Sequence, residues 1–286
     1  MSELAGEVRD VDVDGLNVRC HVDGPEEAPP IVLVHGAGPD AAGMSWKKVY
    51  PALADSYRVY AMDLPGYGES DRVPQHVTPT IDFYVGMLDG LLEELGVVDA
   101  TLAGISKGGG ISLGYALEHP ERISQLVLVD SYGLGDQVPG GRKTGVMVKI
   151  PKLMEGSWWA MKKSRKLLKA NLANILHPDN LTDEIVEDAH RQIRRPHSGD
   201  AYIRFGRAEM HVSGPRTNYF DRIGDLQVPT LFVHGEDDPL IPAKLSKRAA
   251  DRAPVADLFT LDKCGHWTTR EHPDVFVSRL EAWLDK

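Results

Sequence analysis

Residues 102–114 read LAGISKGGGISLG, an apolar run ending at Ile105, then Ser106, Lys107 and three consecutive glycines. The segment 99–105 has the length and composition of a buried strand, and 108–118 has a helical pattern. Gly104-Ile105-Ser106-Lys107-Gly108 therefore places G-x-S-x-G between a strand and a helix, the context in which it forms a nucleophile elbow. Glycine is wanted at both ends because the turn is tight and the helix packs close to the strand. The strained serine then projects its hydroxyl into open space. The competing reading is a glycine-rich turn in which Ser106 merely caps the helix.

The same pattern extends along the chain. VRDVDV and LNVRCHV flank Asp14-Gly15, a dipeptide suited to a tight hairpin turn, so an opening antiparallel hairpin is expected. Short apolar runs at 31–36, 58–63, 125–130, 230–235 and 257–262 read as buried parallel strands. Ile81, Tyr84, Val85, Leu88, Leu91, Leu92 and Leu95 share one helical face that stops at Gly96, and 243–252 is a further helix. This alternation predicts an α/β class with a mostly parallel sheet covered by helices on both faces.

The alternation fails from 134 to 222, where SWWAMKKSRKLLKANL and DEIVEDAHRQIRR read as amphipathic helices. The expected organisation is a core of 1–133 and 223–286 with a helical cap, 134–222, over the ligand-binding edge. The cap holds 16 Lys and Arg against 10 Asp and Glu, or +6, although the whole chain carries −10. That basic segment either steers anionic substrates or carries solvated cations outside, with Trp158, Met161, Leu168 and Leu172 packed inward.

An acidic chain of this kind disfavours nucleic acid as a partner. No run approaches the length of a membrane span and no basic-then-apolar leader opens the sequence, so a cytoplasmic protein with no membrane partner is expected. Cys20 and Cys264, far apart and without metal-ligand spacing, read as free thiols, and no metal is expected. A homodimer is left open.

A serine hydroxyl needs a base and a group that orients the base. CGHW (264–267) follows the last strand and HGEDDP (234–239) ends the one before it, so His266 is the expected base. Asp238 is the preferred acid, with Asp130 and Asp237 as alternatives. Backbone N–H groups of Lys107, at the helix start, and of Ala37, in the loop HGAG (35–38), are the expected oxyanion donors. His35, His119 and His272 read as structural. No cofactor is required.

Together, HGAG, DLPGYGESD (63–71), GISKGG, HGEDDPLIP and CGHW resemble the α/β-hydrolase superfamily over essentially the whole chain. HGAGPDAAG and CGHWTTREHPDVF are similar in style to the meta-cleavage product hydrolases, which split a carbon–carbon bond in dienoic keto acids. That family's polar determinants are replaced here by Ile105 before the nucleophile, Trp46 after the oxyanion loop and Ala189 on the cap, with His190 and Arg191 adjacent. Apolar replacements favour an apolar acyl pocket. The resulting expectation is a carboxylesterase acting on small to medium esters through an acyl-enzyme on Ser106. A carbon–carbon hydrolase is the alternative, and a receptor-like member a further one. Pocket candidates are Gly36, Gly38, Trp46, Ile105, Trp158, Trp159 and Trp267. The Lys107 side chain is expected either to snorkel to solvent or to an acid under the cap, or to contact the substrate's polar end.

Overall fold

The computed structural model describes residues 4–286. Its main sheet is built from β1 (Glu7–Val13), β2 (Leu16–Asp23), β3 (Pro30–Val34), β4 (Arg58–Met62), β5 (Ala100–Ile105), β6 (Ile123–Val129), β7 (Thr230–Gly235) and β8 (Ala256–Leu261). In space the order is β1-β2-β4-β3-β5-β6-β7-β8. The hairpin β1–β2 and the pair β2–β4 are antiparallel, and the remaining pairs are parallel. Asp14 and Gly15 take φ values of 51° and 78°, and Val13 pairs with Leu16, so a two-residue turn closes the hairpin.

Because successive side chains on a strand point to opposite faces, the central strands feed two separate cores. Val32, Val34, Leu102, Leu126, Leu128 and Phe232 join one, which α1 (Ile81–Glu94) and α2 (Lys107–Glu118) cover with Tyr84, Leu88 and Ile111. Ile31, Leu33, Ala103, Val127, Val129 and Leu231 join the other, closed by Phe276 and Leu280 of the terminal helix. These strands read as continuous apolar runs because both of their faces are buried.

Between β6 and β7 the chain leaves the sheet for α3 (Arg142–Met147), α4 (Leu153–Lys163), α5 (Arg165–Leu172), α6 (Asp183–Ile193) and α7 (Asp200–Glu209). SWWAMKKSRKLLKANL divides into two helices at Ser164. That residue takes φ −133°, ψ 106°, and its side chain accepts from the Leu167 N–H, capping α5. The helical segment is tied down by a buried ionic clasp. Asp188 of α6 accepts from Arg270 Nη2 at 2.7 Å and from Lys47 Nζ at 2.8 Å, while Arg270 Nη1 donates to the Met44 carbonyl.

The parallel strands end on one side of the sheet. The loops after β3, β5, β6, β7 and β8 therefore meet there, the usual place for a site in an open α/β sheet.

Candidate active site

Ser106, between β5 and α2, takes φ 54° and ψ −118°, a strained conformation for a residue other than glycine. A Cβ added to Gly104 would lie 2.2 Å from the Gly108 carbonyl oxygen, and one on Gly108 would lie 2.2 Å from that of Val34. Both glycines are thus required by backbone approach.

Ser106 Oγ stands 2.9 Å from His266 Nε2, and His266 Nδ1 stands 2.7 Å from Asp238 Oδ2. The other Asp238 oxygen accepts the Leu240 and Ile241 N–H groups, which fixes the carboxylate plane. Burial opposes a charge on Asp238. The His266 charge and hydrogen bonds from His234 and His266 outweigh it, holding the carboxyl below the usual range. His266 shows the converse: burial disfavours its imidazolium, yet Asp238 pushes its pKa up to about 9. The alternative acids are placed elsewhere. Asp237 is turned outward, its side chain 55% exposed. Asp130 is fully buried and accepts the N–H groups of Gly235 and Thr268, so it pins the loops that carry Asp238 and His266.

Sequence reasoning missed His234. Its Nε2 lies 3.1 Å from Asp238 Oδ2 and 2.8 Å from the Ile241 carbonyl, two acceptors, so Nε2 carries the proton. Nδ1 then accepts from Ser246 at 2.7 Å. Asp130, His234 and Asp238 have ligand-type atoms within 4.8 Å of one another, but backbone amides and imidazole N–H groups already occupy the carboxylate oxygens. Asp40, also missed, organises the oxyanion side. Its Oδ2 accepts the Gly36 N–H at 2.8 Å and the Ser45 hydroxyl at 2.7 Å, and Ser45 Oγ accepts Trp267 Nε1–H at 2.9 Å. Burial raises the Asp40 carboxyl to about 6. A sequence signal existed in the acid directly after HGAGP. Among the described residues, the N–H groups of Ala37 and Lys107 have no protein acceptor, and both residues border the cavity above Ser106.

That cavity holds about 400 Å³. Gly36, Gly38, Ile105, Trp158 and Trp267 line it as expected. Two candidates do not. Trp46 is fully buried against Phe276, their rings 6.3 Å apart, away from the cavity. Trp159 faces outward and is 63% exposed, since one step along a helix from the inward Trp158 rotates a side chain by about 100°. Ala189 is buried in the second core, so a side chain there does not point at substrate. Of the four residues expected to pack inward, Trp158, Leu168 and Leu172 are buried and Met161 is half-buried.

The Lys107 side chain is 1% exposed and reaches neither solvent nor an acid. Its Nζ lies 3.7 Å from the centre of the Tyr67 ring and 4.3 Å from that of Tyr84, with Phe205 beyond, and makes no hydrogen bond. Burial depresses its pKa well below the ordinary 10.5, and the Asp40 charge only partly opposes this. In the window between the folded pKa and 10.5 the unfolded chain binds more protons, so stability rises with pH there. Lys107→Met is expected to be more stable than wild type near pH 7, and the gap should close at up to about 1.4 kcal/mol per pH unit as pH rises. Chemical denaturation of both proteins from pH 7 to 10 checks it, and parallel curves would refute it.

A family model described as alpha/beta hydrolase fold matches residues 29–273. The 2-hydroxymuconate semialdehyde hydrolase of Pseudomonas sp. (strain CF600) is 30% identical over 285 residues, covering 96% of this chain and 93% of that one. The 2-hydroxy-6-oxo-6-phenylhexa-2,4-dienoate hydrolase of Burkholderia cepacia is 29% identical, with 91% and 89% covered. The solved hydrolase of the same name from Rhodococcus sp. strain RHA1 superposes with a TM-score of 0.77 at 25% identity over 95% of each chain. These names overturn the expectation of a carboxylesterase and favour its carbon–carbon alternative. The physical reason is that two of the three replacements behind that expectation, Trp46 and Ala189, lie off the cavity and do not shape an acyl pocket.

Proposed function

From the premise that this chain belongs to the alpha/beta hydrolase fold family, we propose that it hydrolyses a carbon–carbon bond in a 2-hydroxy-6-oxodienoate-type keto acid. The observation that carries the reading is the end-to-end likeness to hydrolases of that substrate class, joined to a serine, histidine and aspartate in hydrogen-bonded line.

Ser106 attacks the 6-oxo carbon as His266 takes its proton, and Asp238 orients the imidazole. The N–H groups of Ala37 and Lys107 receive the developing alkoxide. Ketonisation moves the 2-hydroxyl proton to carbon 5 and leaves a 2-oxo-3-ene, so collapse of the tetrahedral adduct breaks the bond between carbon 6 and a now saturated carbon 5. The electron pair delocalises through the conjugated 2-oxo acid, and His266 returns the proton to that fragment. Water, activated by the same histidine, releases the acid from Ser106. Met147, Leu153, Trp158, Tyr202 and Phe205 line an apolar chamber suited to the group on carbon 6.

Incubation with 2-hydroxy-6-oxo-6-phenylhexa-2,4-dienoate should bleach the dienolate absorbance and yield benzoate in equal amount. Folded protein that releases no carboxylic acid from this or a 6-methyl substrate would overturn the proposal.

A further inference from the structure

The outer surface of α3 to α5 combines two features. Val146, Met147, Ile150, Leu153, Trp159 and Leu167 are all exposed, Trp159 by 63% and Met147 by 51%. Isolated exposed aliphatics are ordinary, whereas here six fall within 22 consecutive residues. Residues 142–171 also contain nine Lys and Arg and a single acid, Glu155, in a chain of net −10. Among the described residues, Arg142, Lys143, Lys152, Lys163 and Lys166 form no ion pair or side-chain hydrogen bond.

The helical phase keeps this surface distinct from the cavity. Met154, Trp158 and Met161 of α4 recur at helical spacing and line the cavity. Trp159 and Lys163, four apart, share the opposite side of that helix. Met147 and Leu153 belong to both surfaces: each lines the cavity and is exposed. The cationic, apolar face thus includes part of the cavity's rim.

We propose that this face docks on an anionic lipid surface. A bilayer interface takes aromatic and aliphatic side chains into its headgroup layer while lipid phosphates receive the ammonium groups, a combination that matches what is exposed here. Charge complementarity selects the face, since the rest of the chain is acidic and is repelled by the same surface. The expectation of no membrane partner rested on the lack of an apolar span, and surface docking needs none. Substrates with an apolar end concentrate in such a layer, and the docked orientation sets the cavity rim against it. The inference does not depend on which bond the site cleaves.

Co-sedimentation of the full chain tests it with vesicles of phosphatidylcholine alone and with equal phosphatidylglycerol. Binding is expected to the anionic vesicles only and to vanish at about 0.5 M salt. Each lysine at such a surface is worth about fivefold in partition, so Lys163→Gln with Lys166→Gln should weaken binding about 25-fold. Trp159→Ser should weaken it as well, and circular dichroism confirms that the variants fold. No vesicle binding, equal binding to both vesicle types, or a dimer dissociated by Trp159→Ser would each overturn the proposal, the last by assigning the face to a second copy.

Discussion

Ser106→Ala is expected to lower kcat for carbon–carbon cleavage by about four to six orders of magnitude, the scale seen when a triad nucleophile is removed. Alanine deletes only the attacking oxygen. Gly104 and Gly108 still shape the elbow, and the Ala37 and Lys107 N–H groups keep their positions, so dienoate binding should persist. Stopped-flow measurement should separate the two: a spectral change on binding without release of acid. Retention of more than a tenth of wild-type kcat would mean that water attacks without an acyl-serine. Loss of binding as well would mean that the hydroxyl holds the ground state.

Asp238→Asn should cost about 10⁴-fold in kcat, because an amide no longer enforces the tautomer in which His266 Nε2 accepts the serine proton. A second readout is the pH profile. Neutral His266 is the active form, and its pKa is raised from 6.5 to about 9, so wild-type kcat/KM should climb with pH across that interval. Removing the Asp238 charge leaves burial dominant, which shifts the acidic limb below that of wild type. Asp130→Asn is the counterpart. The amide keeps one oxygen to accept from one of the two backbone N–H groups, so the expected effect is chiefly on stability, on the order of 1–3 kcal/mol, with the pH limb moved less. An Asp130 variant as inactive as the Asp238 variant, with an unchanged melting temperature, would reverse the assignment of the acid.

The elbow was legible because its constraints are local. The clashes that demand glycine at 104 and 108 involve atoms a few residues away or on the neighbouring strand. The strands were legible because burial on both faces writes them as apolar runs. Choosing between Asp130 and Asp238 was harder, since both end strands beside the same histidine and only the hydrogen-bond partners separate them. The Lys107 side chain was illegible for a different reason. Its surroundings, Tyr67, Tyr84 and Phe205, come from three distant parts of the chain, one of them in α7. Trp46 and Trp159 were misplaced because composition suggests an aromatic pocket wall, whereas orientation depends on how each helix is rotated against its neighbours.

The clasp of Asp188 with Arg270 and Lys47 bears on folding cooperativity. Arg270 lies four residues after His266, and its guanidinium is buried between α6 and the Met44 carbonyl. Freeing the cap would strand a buried cation and a buried carboxylate, a rupture that typically costs about 3–5 kcal/mol. Calorimetry is therefore expected to show α6 melting together with the sheet in one transition. A hinged opening that lifted α6 would have to break this clasp.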